Sequence, residues 1–318
     1  MKKSLLIITM KPSILVGGQA VIEGVMMRVP GSYATAVRDP NGKIHIQKED
    51  FTSITESSSF WRRPIFRGMA SLYESMKMGM KTLNYSADIA MPDEEPQSKF
   101  AEFFSTIFAI SLAVFLFMIA PMWMTTKVMD LEKEAFWFNL VSGGFRIAFF
   151  ILYLLIISML SDVRRLFQYH GAEHRVVYNF ESGKKVNIKN AQSFPTQHPR
   201  CGTSFLFIVL LSAILVFAIV DTVVINIFGT ISLPMRLLFH LPLIPLVSGI
   251  GYELIKLSSR NNSLGFRILK KPGLWLQNIT TKKPEDEMVE VSIKALEKAF
   301  GDRYVEMVGK EYTAEAIG

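Results

Sequence analysis

The chain of 318 residues contains a single cysteine, Cys201, and only five histidines. One cysteine excludes an internal disulfide, so Cys201 is either a free thiol or a metal ligand. Three of the five histidines, His170, His174 and His198, occur with Cys201 in one stretch between two long apolar segments. Because these residue types are scarce elsewhere, this stretch is the first candidate for a functional site.

The sequence also lacks nucleic-acid-binding motifs, internal repeats and low-complexity tracts. Half of its residues are hydrophobic, its mean hydropathy is +0.28 and its net charge is +7. An ordinary soluble domain is less apolar than this, and positive charge on a membrane protein reflects basic loops and attraction to anionic lipid. We therefore expect the lipid bilayer as a partner and no nucleic acid, with a homo-oligomer left open.

Apolar residues concentrate in four windows, each long enough to cross a bilayer, which takes roughly 20 residues. The predicted fold class is a mainly α, polytopic membrane protein with four transmembrane helices, at about residues 100–124, 138–160, 204–228 and 235–257. The predicted regions are an N-terminal α+β part (1–98), a membrane domain (99–258) that contains the His/Cys loop (161–203), and a C-terminal tail (259–318) with a terminal helix.

Basic residues cluster before the first window, between the second and third, and after the fourth. The other two connecting loops are short, and the one at 229–234 carries no charge. Because cytoplasmic loops carry the excess of Lys and Arg, both termini and the His/Cys loop are predicted to be cytoplasmic.

The flanks predict a small β-hairpin or sheet and amphipathic cytoplasmic helices. Alternating runs at 33–38 and 43–48 are joined by Asp39-Pro40-Asn41-Gly42, a strong hairpin turn. Pro64 begins a helix with a Met-rich apolar stripe and basic neighbours, which either lies on the membrane surface or packs on the sheet. In the tail, Lys271-Pro272-Gly273 predicts a turn, and acidic residues from position 285 open the terminal helix.

His170 and His174 are four residues apart, which places both on one face of a helix. With Glu173 they form the inverted zincin order H-x-x-E-H, in which the glutamate is general base to a metal-bound water. His198 and Cys201 have an H-x-x-C spacing that suits shared ligation. The expected cofactor is a divalent metal with Zn²⁺ as the default, because imidazole and thiolate both suit zinc.

Several interpretations of this pattern stay open. All four ligands around one ion form a closed structural site, whereas three ligands plus water form an open catalytic one. Without a metal, the histidines are hydrogen-bonded at the headgroup level, or Cys201 is a nucleophile assisted by His198 and activated by a helix N-terminus. Glu23, the only carboxylate in an apolar strand-like stretch, is either a solvent-facing residue or a second candidate base.

Charged residues inside the windows are costly in hydrocarbon and require partners. Arg146 and Asp221 lie at matched depth, so we expect them to pair, as a structural bridge or as part of a polar pathway that includes His240. Glu253, near the end of the fourth window, is expected to face the metal site.

Long ungapped motifs resemble the YqhQ-like family of bacterial membrane proteins; they lie at 17–28, 66–68, 83–87, 169–174, 198–204 and 272–277. The resemblance extends from about Lys11 to Phe300. It implies a multi-pass protein of the bacterial cytoplasmic membrane. The family is catalogued as a domain of unknown function and labelled a predicted metal-dependent enzyme, so it implies no particular reaction.

The leading functional hypothesis is a membrane-embedded, cytoplasm-facing, metal-dependent enzyme, most simply a hydrolase. Its metal would bind His170, His174, and His198 or Cys201, with Glu173 or Glu23 as the base. The competing class is a non-enzymatic transporter, channel or membrane scaffold with a structural or regulatory metal site. The substrate is not indicated by the sequence.

Overall fold

The computed structural model describes residues 12–93, 98–128, 134–260 and 263–314. The strands are β1 (Ser13–Ile14), β2 (Gly17–Val21), β3 (Gly24–Val29), β4 (Ser32–Arg38), β5 (Ile44–Asp50) and β6 (Thr313–Ala314). The α-helices before the His/Cys loop are α1 (Ile54–Ser57), α2 (Phe66–Ala90), α3 (Lys99–Val114), α4 (Ala120–Val128) and α5 (Ala135–Ile157). The remaining α-helices, beginning within that loop, are α6 (Ser161–Glu181), α7 (Ile188–Gln192), α8 (Gly202–Phe228), α9 (Leu233–His240), α10 (Ile244–Arg260), α11 (Leu264–Thr280), α12 (Asp286–Phe300) and α13 (Tyr304–Met307).

Four helices of the described chain are long and apolar enough to cross a membrane, as predicted. They comprise Phe100–Val128, Ala135–Ile157, Gly202–Phe228 and Leu233–Ser258. The first is interrupted by a π-helical turn at Phe115–Ile119, just before Pro121. The fourth passes through a 3-10 turn at Leu241–Leu243. A proline lacks the backbone N–H that a regular helix needs, which accounts for such interruptions.

The predicted hairpin and small antiparallel sheet are confirmed. The sheet has the order β2-β3-β4-β5, with every neighbouring pair antiparallel. In the β4–β5 turn the Asp39 carboxylate accepts the backbone N–H groups of Asn41 and Lys43, each at 2.9 Å. Gly42 has a φ of 85°, which glycine adopts without the strain that a Cβ brings.

One hydrophobic core joins the sheet to α6 and α12. Val289, Leu296 and Phe300 of α12 are buried against β3, β4 and α6. Core residues thus come from the N-terminal part, from the His/Cys loop and from the tail. The helix that carries His170 and His174 is consequently held between the sheet and the terminal helix.

Helix α2 connects the sheet to the long apolar helices. Met78 packs with Met26 and Tyr33 of the sheet, whereas Met76 and Met80 are exposed on another face. At its start, Gly68 lies so close to α10 that a Cβ there would be 2.6 Å from Cβ of Tyr252.

The expectation that Glu253 faces the metal site is wrong. Its carboxylate accepts a hydrogen bond from Arg67 Nε at 2.6 Å and one from the backbone N–H of Ile65 at 3.3 Å. This ion pair fastens the beginning of α2 to α10, and Glu253 does not line the cavity described below.

The turn expected at 271–273 is absent, because α11 continues through Pro272. A proline is tolerated there since packing holds the helix in place. A Cβ on Gly273 would lie 2.7 Å from Ser204, so glycine allows α11 to pack directly against the first turn of α8. The far end of α11 thereby reaches the His/Cys loop.

Asp221 is paired, but the predicted partner is wrong. Its carboxylate binds Arg236 of α9, Asn139 Nδ2 at 2.6 Å and His240 Nε2 at 2.8 Å. Arg146 instead lies over the ring of Phe217, with its guanidinium carbon 5.5 Å from the centroid. Asn139 lies seven residues before Arg146 on the same face of α5, so the level at which α5 contacts Asp221 is about two turns from Arg146.

Removing the Asp221 carboxylate should strongly destabilise the membrane domain. Asp221→Ala leaves Arg236 and His240 buried without their shared acceptor, and breaking a buried ion pair costs about 3–5 kcal/mol. We expect a clear fall in the thermal unfolding midpoint of the detergent-solubilised protein. The control is Asp162→Ala, which removes an exposed carboxylate at the start of α6; equal midpoints for the two variants would contradict the assigned role.

Candidate metal centre

The helical spacing predicted for the two histidines is present in α6. The rings of His170 and His174 have centroids 4.4 Å apart on one side of the helix. Gly171 between them faces the chain that follows α11, where a Cβ would lie 2.0 Å from the carbonyl oxygen of Lys282. A side chain at this position would push α6 away from that segment, so glycine allows the histidines to approach α11.

Cys201 is brought to the histidines as the N-cap residue of α8. Its Sγ accepts the backbone N–H of Thr203 at 3.4 Å and lies 3.2 Å from Nε2 of His170. Ligand atoms of His170, His174 and Cys201 all lie within 4.8 Å of one another. These three predicted ligands therefore form one cluster, within which a single ion can be held.

The Nδ1 atoms of both histidines form hydrogen bonds to the backbone. Nδ1 of His170 donates to the carbonyl of Thr280 at 2.8 Å, and Nδ1 of His174 donates to the carbonyl of Thr196. A carbonyl oxygen can only accept, so Nδ1 carries the proton in each ring. In the neutral imidazole the lone pair is then on Nε2, as in metal sites whose ligating histidines are oriented by a second hydrogen bond.

The electrostatics of the cluster favour a thiolate. Burial opposes ionisation of Cys201, but the neighbouring His170 and His174 outweigh it and lower the pKa of the thiol well below its usual value. Conversely, burial opposes the charged form of His170, yet the adjacent Cys201 sulfur raises the pKa of that imidazole to about 9. The thiolate is the form of cysteine that binds metals and attacks electrophiles.

His198 is near the cluster but outside it. Its ring centroid is 5.5 Å from that of His174, while its Nε2 lies 3.7 Å from Oε2 of Glu181. Burial, aided by the charge of His174, lowers the pKa of His198 to about 4. The amide of Gln277 holds the backbone of this residue on both sides, accepting its N–H at 2.6 Å and donating to its carbonyl at 2.8 Å.

The two candidate bases have different surroundings. Glu173 lines the same cavity as the cluster, and its Oε2 is 3.5 Å from Nε2 of His174. Glu23, at the β2–β3 turn, is outside the cavity lining. Its carboxylate accepts one hydrogen bond from Arg165 Nη2 at 2.6 Å and another from the Tyr169 hydroxyl at 3.2 Å. This geometry favours Glu173 as the base and gives Glu23 the role of anchoring the turn to α6.

The cluster opens into a cavity of about 470 Å³ between the sheet, α2, α6 and the start of α8. Its wall from α6 and α8 contains His170, His174 and Cys201, and the opposite wall comes from β2, β3 and α2. At Gly18 of β2 a Cβ would lie 3.0 Å from Cγ of Glu173, so this strand passes close to the carboxylate.

Sequence spacing did not identify the residues that orient the cluster. Thr196, Gln277 and Thr280 act through backbone carbonyls or an amide, and two of them lie about 80 to 110 positions from their partners. The family motif at 272–277 pointed to this region, but nothing in its sequence indicated that Gln277 contacts His198.

Comparison with known proteins is consistent with the resemblance noted from the motifs. The sequence profile of the family described as "Protein of unknown function (DUF1385)" matches residues 63–302, more than half of the chain. The chain belongs to this family. It is also 31% identical, over 298 residues, to "Uncharacterized protein YqhQ" of Bacillus subtilis (strain 168), a match that covers 88% of this chain and 90% of that protein. No solved structure matches.

The thiol of Cys201 should react as a thiolate at neutral pH in metal-free protein. Its pKa is lowered by the two histidines, so alkylation by iodoacetamide should remain fast below the pH at which an ordinary thiol is protonated. His170→Ala should move the midpoint of the rate–pH profile upward, because the stabilising charge is lost. Because Cys201 is the sole cysteine, mass spectrometry of the intact protein measures its alkylation directly. Identical rate–pH profiles for the wild type and the variant would refute the effect of His170 on the thiol pKa.

Proposed function

We propose that this protein is a metal-dependent hydrolase of the bacterial cytoplasmic membrane, with its site facing the cytoplasm. The observation that carries the proposal is the convergence of His170, His174 and Cys201 at the wall of a cavity. Backbone hydrogen bonds at Nδ1 direct both Nε2 atoms toward the cluster, and the sulfur is favoured as thiolate. Two imidazoles and a thiolate are a donor set that fits zinc.

Three protein ligands favour an open site. A structural zinc site has four protein ligands, whereas a catalytic one has three and an exchangeable position. His198, the fourth predicted ligand, is outside the cluster and held by Gln277, which supports the open arrangement. When bound, the ion would supply Lewis-acid chemistry. Glu173, beside His174 on the cavity wall, would accept the proton of the attacking water.

The transporter or channel interpretation receives less support. A transporter or channel requires a continuous polar path across the bilayer, to which Glu253 and Asp221 could contribute. Glu253 is occupied by Arg67 and Asp221 by Arg236, Asn139 and His240, so both carboxylates are engaged in local contacts. A scaffold with a structural metal remains the competing outcome in the experiments below.

The proposed topology places both termini and the His/Cys loop in the cytoplasm. It rests on the basic residues of these segments and on the uncharged loop between α8 and α9. In the same arrangement α2 would be an amphipathic cytoplasmic helix whose exposed Tyr73, Met76 and Met80 contact the inner leaflet.

The first test is metal content. Purified wild-type protein, measured by elemental mass spectrometry, should hold about one zinc ion per chain, the stoichiometry of a single site. His174→Ala should lose it, because two remaining ligands cannot hold the ion tightly. His45→Ala is the matched control, since His45 lies on β5 and pairs with Asp39. Unchanged metal in His174→Ala would refute the ligand assignment.

A Glu173→Gln variant then separates an enzyme from a scaffold. It should keep its zinc and lose hydrolysis of whichever soluble esters or phosphoesters the wild type cleaves, by about 10²–10⁴-fold for a general base. Full activity with full metal content would exclude Glu173 as the base. Zinc without hydrolysis of any of these compounds by the wild type would favour the scaffold.

The topology is tested by labelling in intact cells. In a Cys201→Ser background, a cysteine at Lys184 should be inaccessible to a membrane-impermeant maleimide added outside, whereas one at Thr230, in the loop between α8 and α9, should react. Both positions are in connecting segments. Labelling at Lys184 but not at Thr230 would reverse the proposed orientation.

A further inference from the structure

Arg28 of β3 lines the same cavity as His170 and Cys201. Its guanidinium carbon lies 4.3 Å from the centroid of the Phe51 ring. Within the described part of the chain, this guanidinium forms no ion pair and no hydrogen bond, and it lies over the aromatic ring. Burial lowers the pKa of Arg28, but an arginine stays protonated in proteins. The cavity thus contains a cation without a carboxylate bound to it.

The carboxylates of Glu74 and Glu173 form contacts with residues other than Arg28. Glu74 of α2 attracts the guanidinium through space, but its carboxylate accepts the Ser53 hydroxyl at 3.0 Å and a backbone N–H of α1. Glu173, the one carboxylate among the residues that line the cavity, lies beside His174. The second arginine of the lining, Arg200, pairs with Glu181. A desolvated charge requires a counter-charge, and among the described residues no carboxylate forms an ion pair with Arg28, although Glu74 and Glu56 attract it through space.

Two hydroxyl groups face the same space. Ser71 and Ser75 are one turn apart on α2 and both line the cavity. Neither hydroxyl forms a hydrogen bond within the described residues. A guanidinium fork with two free hydroxyls is a donor set for a tetrahedral oxyanion that has several terminal oxygens, as phosphate has.

Much of the remaining wall is apolar. It is formed by aliphatic, thioether and aromatic side chains from the segment before β2, from β3, α2 and α6: Leu15, Val16, Met26, Met78, Leu166 and Phe167. A small inorganic ion would leave this surface unused, whereas a ligand with a hydrocarbon part would cover it.

We propose that the cavity binds a phosphate-bearing amphiphile, with the phosphate held by Arg28, Ser71 and Ser75 and the hydrocarbon part against the apolar wall. The amphiphile is a substrate only if the proposed enzymatic function is correct. Binding itself requires no metal. The phosphate could reach the site as a lipid headgroup or as free phosphate, and the apolar wall favours the lipid.

Binding is measured by isothermal titration calorimetry on the full-length protein in a neutral detergent, with and without EDTA. The probes are dihexanoyl phosphatidic acid, dihexanoylglycerol and inorganic phosphate. We expect the phosphatidic acid to bind more tightly than both others. Arg28→Ala should weaken its binding at least about tenfold, since a hydrogen bond to a charged group contributes that much or more. Arg63→Ala, which removes an exposed arginine outside the lining, should leave it unchanged.

Arg28→Lys provides a second variant in case Arg28→Ala fails to fold. It keeps the charge without the planar fork, so an intermediate affinity is expected. Equal binding of dihexanoylglycerol and phosphatidic acid by the wild type would overturn the proposal without any variant. Equal binding of inorganic phosphate would overturn the amphiphile in favour of free phosphate.

The result is independent of the metal assignment. Zinc in the wild type with unchanged lipid affinity in Arg28→Ala would overturn the phosphate site and leave the proposed enzyme standing. Arg28-dependent binding in a protein that holds no zinc would support the phosphate site and overturn the metal-dependent function.

Discussion

Two hydrogen bonds from imidazole Nδ1 atoms to backbone carbonyls organise the candidate site. The His170–Thr280 bond joins α6 to the end of α11, and the His174–Thr196 bond joins α6 to the loop that leads into α8. Each bond decides which ring nitrogen is free, and together they hold three separate segments around Cys201. The arrangement depends on Gly171 and Gly273, because side chains at these positions would force α6 and α8 away from the tail.

Local periodicity predicted what local geometry controls. The pairing of His170 with His174, the β4–β5 hairpin and the four apolar helices all follow from spacing within one segment, and all are found in the structure. The proximity of Cys201 to the histidines was expected from the composition of the loop. It is present because the N-cap of α8 is directed at α6.

The predictions that were wrong depend on contacts between residues that are distant in the sequence. Helix α11 continues through Pro272 because it packs on α8, which no window of sequence around the proline indicates. Asp221 binds Arg236 rather than Arg146, since Asn139, two turns from Arg146 on α5, occupies the level of the carboxylate. Depth counted along the chain therefore misplaced Arg146 by about two turns, because the relative level of two helices depends on how they pack.

Cys201 has two structural roles, as the N-cap of a membrane-spanning helix and as a member of the cluster. Helix α8 has 27 residues and is about 40 Å long. The Cys201 sulfur is therefore attached to the beginning of a long apolar helix, while the two imidazoles are attached to a helix that packs in the core with the sheet. The sulfur–nitrogen separations in the cluster therefore depend on how α8, a helix long enough to cross a bilayer, is oriented relative to α6.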